Sequence, residues 1–302
     1  MSINSLQQIK PRYGEKIIRG SLFTAAVISV LTTFGILISL LIPSIEFFLE
    51  VPITDFLFGT VWTPLFNNGE FGVLPLISGT LVITGIAVLV AIPLGLGSAV
   101  YLSEYASPRV RKVLKPTLEV LAGIPTVVFG FFALEFLTRL VLVKIFPDIE
   151  VFNALSAGLI MGIMIIPTIA SLSEDAMAAV PSGLRDGSYA LGSTKRQTAM
   201  KVVIPAALSG IVAAFVLGIS RAIGETMIVT VAAGLQPQLS LNPLIGMQTM
   251  TSYIAAAGSG DLATGSIEYK SIFAVGLLLF VLTFIMNIFS VRLVRRFRQA
   301  YQ

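Results

Sequence analysis

Two oppositely charged residues stand four positions apart in the otherwise apolar stretch FVLGISRAIGETMIVTV, residues 215–231. Arg221 presents a planar fork of N–H donors, which suits the oxygens of a phosphate or carboxylate group. Glu225 is an acceptor, and in a continuous helix it would lie one turn away on the same face. The spacing is compatible with a structural ion pair or with a site that handles an oxyanion. Which of the two applies depends on what surrounds the segment.

The composition predicts that a lipid bilayer surrounds it. Of the 302 residues 55% are hydrophobic and only 12% are charged, and the mean hydropathy is +0.91. A soluble domain is about one quarter charged. Cysteine and histidine are both absent, which excludes thiolate nucleophiles, histidine-based triads and the usual zinc sites. We therefore predict a membrane protein with no catalytic residue and no metal site.

Six apolar segments have about the length needed to cross the hydrocarbon core as α-helices. Their approximate bounds are 21–47, 76–102, 117–143, 151–172, 203–234 and 271–294. Residues 1–20 are predicted to form a polar arm, 21–295 one membrane domain, and 296–302 a tail. The predicted fold class is an all-α polytopic membrane protein with about six transmembrane helices.

The basic residues predict how these helices are oriented. Most of the 20 lysines and arginines lie in the N-terminal arm, the 103–116 loop, the 173–202 loop and the C-terminal tail. Six spans place these four segments on one side of the membrane. The positive-inside rule predicts that this side is cytoplasmic, together with both termini. Topology thereby explains the net charge of +4, so nucleic-acid binding is not expected.

The depth of Arg221 follows from its distance to the start of span five near Lys201. At 1.5 Å per residue it lies roughly 30 Å along the helix, in the outer half of the bilayer. A charge there is costly in lipid, and the small residues Gly210, Ala214 and Gly218 share its helical face. Small residues mark faces where helices approach closely. We therefore predict that Arg221 and Glu225 face protein or a water-filled path.

A second pair with the same spacing, Glu135 and Arg139, lies near the predicted outer end of span three. Here we favour a structural ion pair, because Arg139 is also able to reach the interface. For Arg221 and Glu225 we favour a path for an oxyanion, with mutual neutralisation as the alternative. Phosphate near neutral pH keeps a proton whose hydrogen bond Glu225 would accept, whereas Glu225 would repel fully ionised sulfate.

The segment between spans four and five is predicted to form short helices on the cytoplasmic surface. Ser173 is a candidate N-cap for the first helix, and a second helix is expected to end at Gly192. Thr194 begins a third with capping-box spacing. The result is a helix–glycine–helix elbow over residues 174–205.

The chain contains no Gly-Lys dipeptide and so no phosphate-cradling Gly-x-x-x-x-Gly-Lys-Ser/Thr loop. It therefore cannot bind ATP in that familiar way. Uphill transport would take its energy from an ion gradient or from a partner that docks on the elbow.

The elbow resembles the EAA motif of ATP-binding-cassette importer permeases. Asp186, Gly187 and Ser188 stand for Glu-Ala-Ala, Gly192 matches the glycine of the motif, and VVIP at 202–205 matches its Ile-x-Leu-Pro ending. Aspartate for glutamate and Gly-Ser for Ala-Ala are departures from the motif. The resemblance implies that the elbow is a coupling helix, which sits in a cleft of a partner ATPase.

Four further stretches, FGVLPLISGTLVIT, AIPLGLGSAVYLSEYA, LAGIPTVVFGFFAL and SRAIGETM, resemble permeases of Pst phosphate-specific importers, and VWTPLF resembles their C-type subunit. The similarity runs from about residue 60 to the end. It implies a type I importer permease of MetI-like architecture in a prokaryotic cytoplasmic (inner) membrane. Arg185 would belong to the coupling region, and Arg221 and Glu225 would serve phosphate passage.

The same resemblance implies the partners. They are an A-type sister permease, an ATPase dimer that carries ATP and Mg, and an extracytoplasmic phosphate-binding protein. The chain itself would then hold no cofactor and would not be an enzyme.

Three other functions remain open. A permease for another oxyanion, such as sulfate or molybdate, would share the architecture and differ in specificity. An ion-driven secondary transporter would work without an ATPase, and a membrane scaffold or sensor would not transport at all. The elbow disfavours the last two, since neither needs a surface for an ATPase.

Overall fold

The computed structural model describes residues 13–66 and 69–297. Within these ranges the chain is helical apart from loops and an isolated antiparallel bridge between Trp62 and Phe71. Six of the described helices are long and apolar enough to cross a membrane, which confirms the predicted fold class. Most of the predicted N-terminal arm and C-terminal tail lies outside the described residues, and the domain bounds stay predictions.

The helices are numbered in chain order. They are α1 (Tyr13–Glu50), α2 (Ile53–Phe58), α3 (Leu74–Tyr105), α4 (Pro108–Ala122), α5 (Thr126–Ile145), α6 (Ala154–Ala178), α7 (Ser182–Ala190), α8 (Lys195–Ile223), α9 (Met227–Ala232), α10 (Met250–Gly258) and α11 (Ile267–Phe297). The span-length helices are α1, α3, α5, α6, α8 and α11. We call the end of the bundle that carries α4 and α7 the elbow end, and the opposite end, with α2 and α10, the loop end.

Helices α3 and α6 pack against each other along most of their length. Glycines permit this approach: a Cβ on Gly162 would lie 2.9 Å from the carbonyl oxygen of Ala87, and one on Gly158 would lie 2.7 Å from Cβ of Ile86. Any side chain at these positions would collide with α3, as is usual where membrane helices meet through small residues. The buried core around this contact includes Ile83, Ala157, Ile160, Met161, Met164 and Ile165.

Helix α8 also packs on α6, through the small-residue face that the sequence predicts. Gly218 lies against Ile165 and Ile169, and Gly210 lies against Ala176. Ala214 on the same face is buried. This face of α8 therefore contacts protein and not lipid.

Two predicted spans are broken in the structure. Residues 117–143 do not form one helix, since α4 ends at Ala122 and α5 begins at Thr126. Pro125 explains the break, because it disfavours a helical conformation at the residue before it. The predicted span 203–234 is also interrupted, over residues 224–226 between α8 and α9.

The predicted start of the elbow is wrong. Ser173 is not an N-cap but lies inside α6, which continues to Ala178. The neighbouring Glu174 is fully buried and pairs with Arg111 and Lys115 of α4. These tertiary ion pairs hold the last turns of α6 helical, and the elbow proper begins with α7.

Candidate transport path and coupling surface

Arg221 lies in the last turn of α8. Its Nη1 donates a hydrogen bond to Oγ1 of Thr168 on α6, at 3.1 Å. At 1.5 Å per residue Thr168 is roughly 21 Å from the start of α6 and roughly 15 Å from its end. The guanidinium group is therefore near the middle of the bundle, closer to the elbow end. The sequence count placed it in the outer half, but a helical side chain leans toward the N-terminus of its own helix.

The remaining guanidinium donors of Arg221 have no partner within the described ranges. Only Nη1 makes a hydrogen bond there, and the residue as a whole is partly buried. A guanidinium carries five N–H donors in a fixed fork. Arg221 thus has the capacity to bind an anion while Thr168 holds it in place.

Glu225 lies in the break between α8 and α9 and is 9% exposed. Its Oε1 accepts hydrogen bonds from the backbone N–H groups of Met227 at 3.1 Å and Ile228 at 3.3 Å. The carboxylate therefore caps the first turn of α9, whose N–H groups have no helical acceptor. The backbone carbonyl of Glu225 accepts from Oγ1 of Thr251 at 2.6 Å. Its Oε2 has no hydrogen-bond partner in the part of the chain that the structure describes.

Arg221 and Glu225 consequently do not form the ion pair that was the alternative interpretation. Because α8 ends at Ile223, the two side chains no longer share one helical face. Each finds a partner on another element, Thr168 for the arginine and the α9 amides for the glutamate. The structure brings both residues to the same helix break but gives them different surroundings.

Glu135 and Arg139 do form the predicted ion pair, with Nη1 of Arg139 at 3.1 Å from Oε2 of Glu135. Their side chains are 53% and 55% exposed, respectively. Glu135 lies about halfway along the 20 residues of α5 and not near its outer end. Since the guanidinium points back to Glu135, Arg139 does not reach toward the end of the helix as we expected.

The elbow helix α7 separates its predicted residues onto two sides. Asp186 and Gly187 are exposed, whereas Ser188 is buried and its Oγ lies 2.9 Å from Oγ1 of Thr198 on α8. Gly192 follows α7 with a φ of +79°, the left-handed conformation predicted for it, which glycine adopts without steric cost. The capping box at Thr194 is present as predicted.

Arg185 of α7 points into the bundle. Its Nη2 donates to Oε1 of Glu104 at 3.0 Å and to the carbonyl oxygen of Met177 at 2.8 Å. Its Nη1 donates to the carbonyl oxygen of Val180 at 2.7 Å. Glu104 lies in the last turn of α3 and Met177 in the last turn of α6. One guanidinium group therefore connects the elbow to the ends of two central helices. Glu104 was not predicted as a site residue, because its only signal in the sequence is a carboxylate at the end of an apolar span.

A second charged cluster fixes α4 at the elbow end. The Nζ of Lys115 lies 2.6 Å from Oδ1 of Asp175 and 2.8 Å from Oε2 of Glu174. These hydrogen bonds, that of Asp175 first, raise the pKa of Lys115 above its ordinary value. Arg111 completes the cluster through its ion pair with Glu174. Among the described residues, no group of three or more His, Cys, Asp or Glu side chains is placed to hold a metal ion.

Two apolar side chains project from the elbow beside its exposed polar residues. Leu191 is 88% exposed, and Tyr189 is also exposed. Apolar side chains presented singly on a surface are common, but here both come just before the turn at Gly192. Neither residue was predicted to belong to the coupling surface, because neither is part of the motif that the elbow resembles.

Sequence comparison places the chain among transport permeases. The family described as binding-protein-dependent transport system inner membrane component matches residues 91–299. The probable ABC transporter permease protein YqgH of Bacillus subtilis (strain 168) is 36% identical over 273 residues, which cover 89% of this chain and 87% of the relative. The phosphate transport system permease protein PstC of Haemophilus influenzae is 32% identical over 283 residues, which cover 88% of each chain. That of Mesorhizobium japonicum is 34% identical over 249 residues, covering 76% of this chain and 75% of the relative.

Comparison with solved structures identifies the fold. A chain of a bacterial ABC transporter involved in the import of the polysaccharide alginate matches with a TM-score of 0.63 at 17% identity, covering 96% of this chain and 100% of that one. A chain of the MetNI methionine ABC transporter in an inward-facing conformation matches with a TM-score of 0.57 at 22% identity, covering 76% and 95%. The helical architecture described above is therefore that of known importer permeases.

Proposed function

Because the chain belongs to the family of binding-protein-dependent transport system inner membrane components, we propose that it is the pore subunit of an ATP-driven importer of inorganic phosphate. As a family member it is a multi-pass inner membrane permease subunit of an ABC importer, a transport component and not an enzyme. Several relatives named as phosphate permeases support the substrate. The structural observation that carries the proposal is the free donor fork of Arg221 near the middle of the bundle.

In this proposal Arg221 binds the anion on its way through the membrane. Thr168 holds Nη1 and leaves the other donors of the planar guanidinium for the oxygens of phosphate. Arg221 is partly buried, and a charge-assisted hydrogen bond is stronger there than at a fully exposed surface. An arginine there is costly without an anion, so binding is favoured but need not be tight.

Glu225 has two roles in the proposal. Its Oε1 holds the first turn of α9 and thereby maintains the break in which the path runs. Its unpartnered Oε2 accepts the hydrogen bond of the proton that phosphate still carries. Glu225 would repel a fully ionised anion, which disfavours sulfate.

The elbow end faces the cytoplasm in this proposal, with both termini on that side, because the basic segments cluster there. An ATPase dimer, which carries ATP and Mg, receives α7 through the exposed residues Asp186, Gly187 and Leu191. Arg185 and Glu104 pass the movement of α7 to α3 and α6. A sister permease completes the pore, and an extracytoplasmic phosphate-binding protein delivers the anion at the loop end.

The second candidate is an importer for another oxyanion, such as sulfate or molybdate. The free fork of Arg221 favours it as well, since any tetrahedral oxyanion matches those donors. The two candidates differ in what Glu225 does to an anion without a proton.

The test is reconstitution of the four kinds of subunit in liposomes. Phosphate-loaded binding protein should stimulate ATP hydrolysis, and labelled phosphate should accumulate. An excess of sulfate or molybdate should not compete with phosphate uptake in the wild-type complex. Absence of stimulation by the phosphate-loaded protein, or equal competition by sulfate, would contradict phosphate as the substrate.

A further inference from the structure

One side of α5 carries an ion pair whose two side chains are more than half exposed. This side consists of Phe132, Glu135, Phe136, Arg139 and Leu140, all exposed, and is here called the α5 face. We propose that the α5 face binds a transmembrane helix of the second permease subunit, with the Glu135–Arg139 pair as the polar centre of the contact. The inference rests on the proposed function in one respect, that a second permease completes the pore.

The opposite side of α5 already has its partners within the chain. Thr138 is fully buried, and Nδ2 of Asn153 lies 3.2 Å from its Oγ1. Gly130 packs on α9, where a Cβ would lie 2.9 Å from Cβ of Val231. The fold therefore uses one side of α5 for its own core and leaves the α5 face for something else.

Lipid does not suit the middle of this face. Glu135 lies about halfway along α5, and the guanidinium of Arg139 points back to it and not to the nearer helix end. A charged group at such a depth costs from about 3 kcal/mol upward in a lipid-exposed helix. The ion pair reduces this cost, but it leaves more than half of each side chain exposed.

Another charged contact of the chain shows the ordinary arrangement. Lys270 bonds to Glu50 at 2.9 Å and lies 3.4 Å from Glu46. These residues belong to the last turns of α1 and the first turn of α11, so they meet at the loop end, where headgroups and water are available. Glu135 and Arg139 have no such position.

A water-filled path does not suit the rest of the α5 face. Phe132 and Phe136 stack with ring centroids 4.7 Å apart, and both rings are exposed, as is Leu140. Large apolar side chains around a polar centre match a helix–helix contact in a membrane, where packing covers the apolar part and hydrogen bonds satisfy the polar part.

The free hydrogen-bonding groups of the pair define the chemistry of the partner helix. The ion pair joins one nitrogen of Arg139 to one oxygen of Glu135. Guanidinium donors and a carboxylate oxygen remain without partners among the described residues. We therefore expect small residues on the facing helix and, near its middle, an Asn, Gln, Ser or Thr side chain.

Photo-cross-linking in the assembled complex tests the contact. Phe136 is replaced by benzoylphenylalanine, and the complex is irradiated in the membrane. The matched control is Phe284 of α11, which is exposed and stacks on Phe280 with centroids 5.9 Å apart, but has no charged residue beside it. We expect a cross-link from position 136 to the second permease at least ten times more abundant than from position 284. A cross-link to lipid alone, or to a second copy of this chain, would overturn the proposal.

A charge-removal variant provides an independent measurement. In Glu135→Leu/Arg139→Leu the α5 face becomes wholly apolar, so insertion of the chain expressed alone should be unchanged or improved. Co-purification of the second permease should fall at least fivefold, because the polar centre of the contact is lost. Full co-purification with this double variant would contradict the proposal, since it is the result expected for a lipid-facing surface.

The readouts separate this inference from the proposed substrate. A complex that cross-links through position 136 but transports no phosphate would contradict the substrate and leave the interface standing. A complex that transports phosphate without that cross-link would contradict the interface alone.

Discussion

The two Arg/Glu combinations of this chain have the same four-residue spacing and end in opposite situations. Glu135 and Arg139 lie in one continuous helix and bind each other, yet they are exposed at mid-span. Arg221 and Glu225 lie on either side of a helix break, and each binds a different element. Arg221 and Glu225, which do not bind each other, therefore keep free groups for a ligand. Glu135 and Arg139 do bind each other, and we infer that their exposed side needs a partner from outside the chain.

The difference shows that helix continuity decides what an i, i+4 spacing means. In an unbroken helix, residues four apart lie on one face and their charges neutralise each other. Where the helix ends between them, the glutamate is free to cap the next helix and the arginine keeps its donors. We infer that the break after Ile223 converts a routine pair into a candidate anion site.

The largest expected effect on assembly of the complex distinguishes the two combinations. Arg139→Gln leaves Glu135 without its counter-ion in a contact that the second permease would bury, so the amount of assembled complex should fall by tenfold or more. Arg221→Gln should leave assembly unchanged, because the carboxylate of Glu225 still caps the first turn of α9. Quantitative co-purification of the second permease measures both. An equal loss of assembled complex in the two variants would show that the two arginines do not differ in their role in assembly.

A variant far from both pairs separates coupling from the path. Gly192→Asp forces a side chain onto a residue with a φ of +79° and should lower phosphate transported per ATP hydrolysed about tenfold. Gly183→Ala on the preceding short helix α7 is the matched control, since a Cβ there meets nothing within 4 Å and its φ is not positive. Transport and ATP hydrolysis are measured in the same liposomes. Normal coupling in Gly192→Asp would count against docking at the elbow.

Glu225 allows its structural and selective roles to be separated. In Glu225→Gln the amide oxygen still accepts from Met227 and Ile228, so the complex should assemble, but sulfate should inhibit phosphate uptake severalfold more strongly. Glu225→Ala also loses the cap, at about 1 kcal/mol, and should lower the yield of complex. Unchanged sulfate inhibition in Glu225→Gln would remove the selective role.

The smallest effect concerns the stability of the isolated chain. An exposed i, i+4 pair contributes about 0.3–0.5 kcal/mol. The double variant Glu135→Gln/Arg139→Gln should therefore change the thermal unfolding of the purified single subunit in detergent very little. Unfolding of the isolated subunit that shifts by many degrees would show that the pair holds this chain's own fold, and not a contact between subunits.

Much of the fold could be predicted from the sequence, because its signals are local. The lengths of the apolar segments predicted six spans. Gly192 predicted the turn that follows α7, and Thr194 predicted the capping box at the start of α8. The break at 224–226 was hidden within a continuous apolar run, since hydropathy does not register where helical hydrogen bonds end. The only local signals of this break were Gly224 and the next residue, Glu225, whose side chain accepts hydrogen bonds.

The contacts that position the candidate site could not be predicted, because they join distant parts of the chain. Thr168 and Arg221 lie on different helices, as do Glu104 and Arg185. No local period or spacing links such residues. Burial of Glu174 against α4 likewise kept α6 helical beyond the point where Ser173 predicted a new start.

Phosphate uptake by complexes that differ only at Arg221 tests whether this arginine binds the transported anion. Wild-type and Arg221→Gln complexes are reconstituted at equal amounts with the ATPase and the phosphate-loaded binding protein, and uptake of labelled phosphate is measured with ATP inside the liposomes. Arg221→Gln should assemble fully and transport less than about one hundredth of the wild-type amount, since the donor fork is lost. Equal uptake by the two complexes would show that Arg221 does not bind phosphate on its way through the membrane.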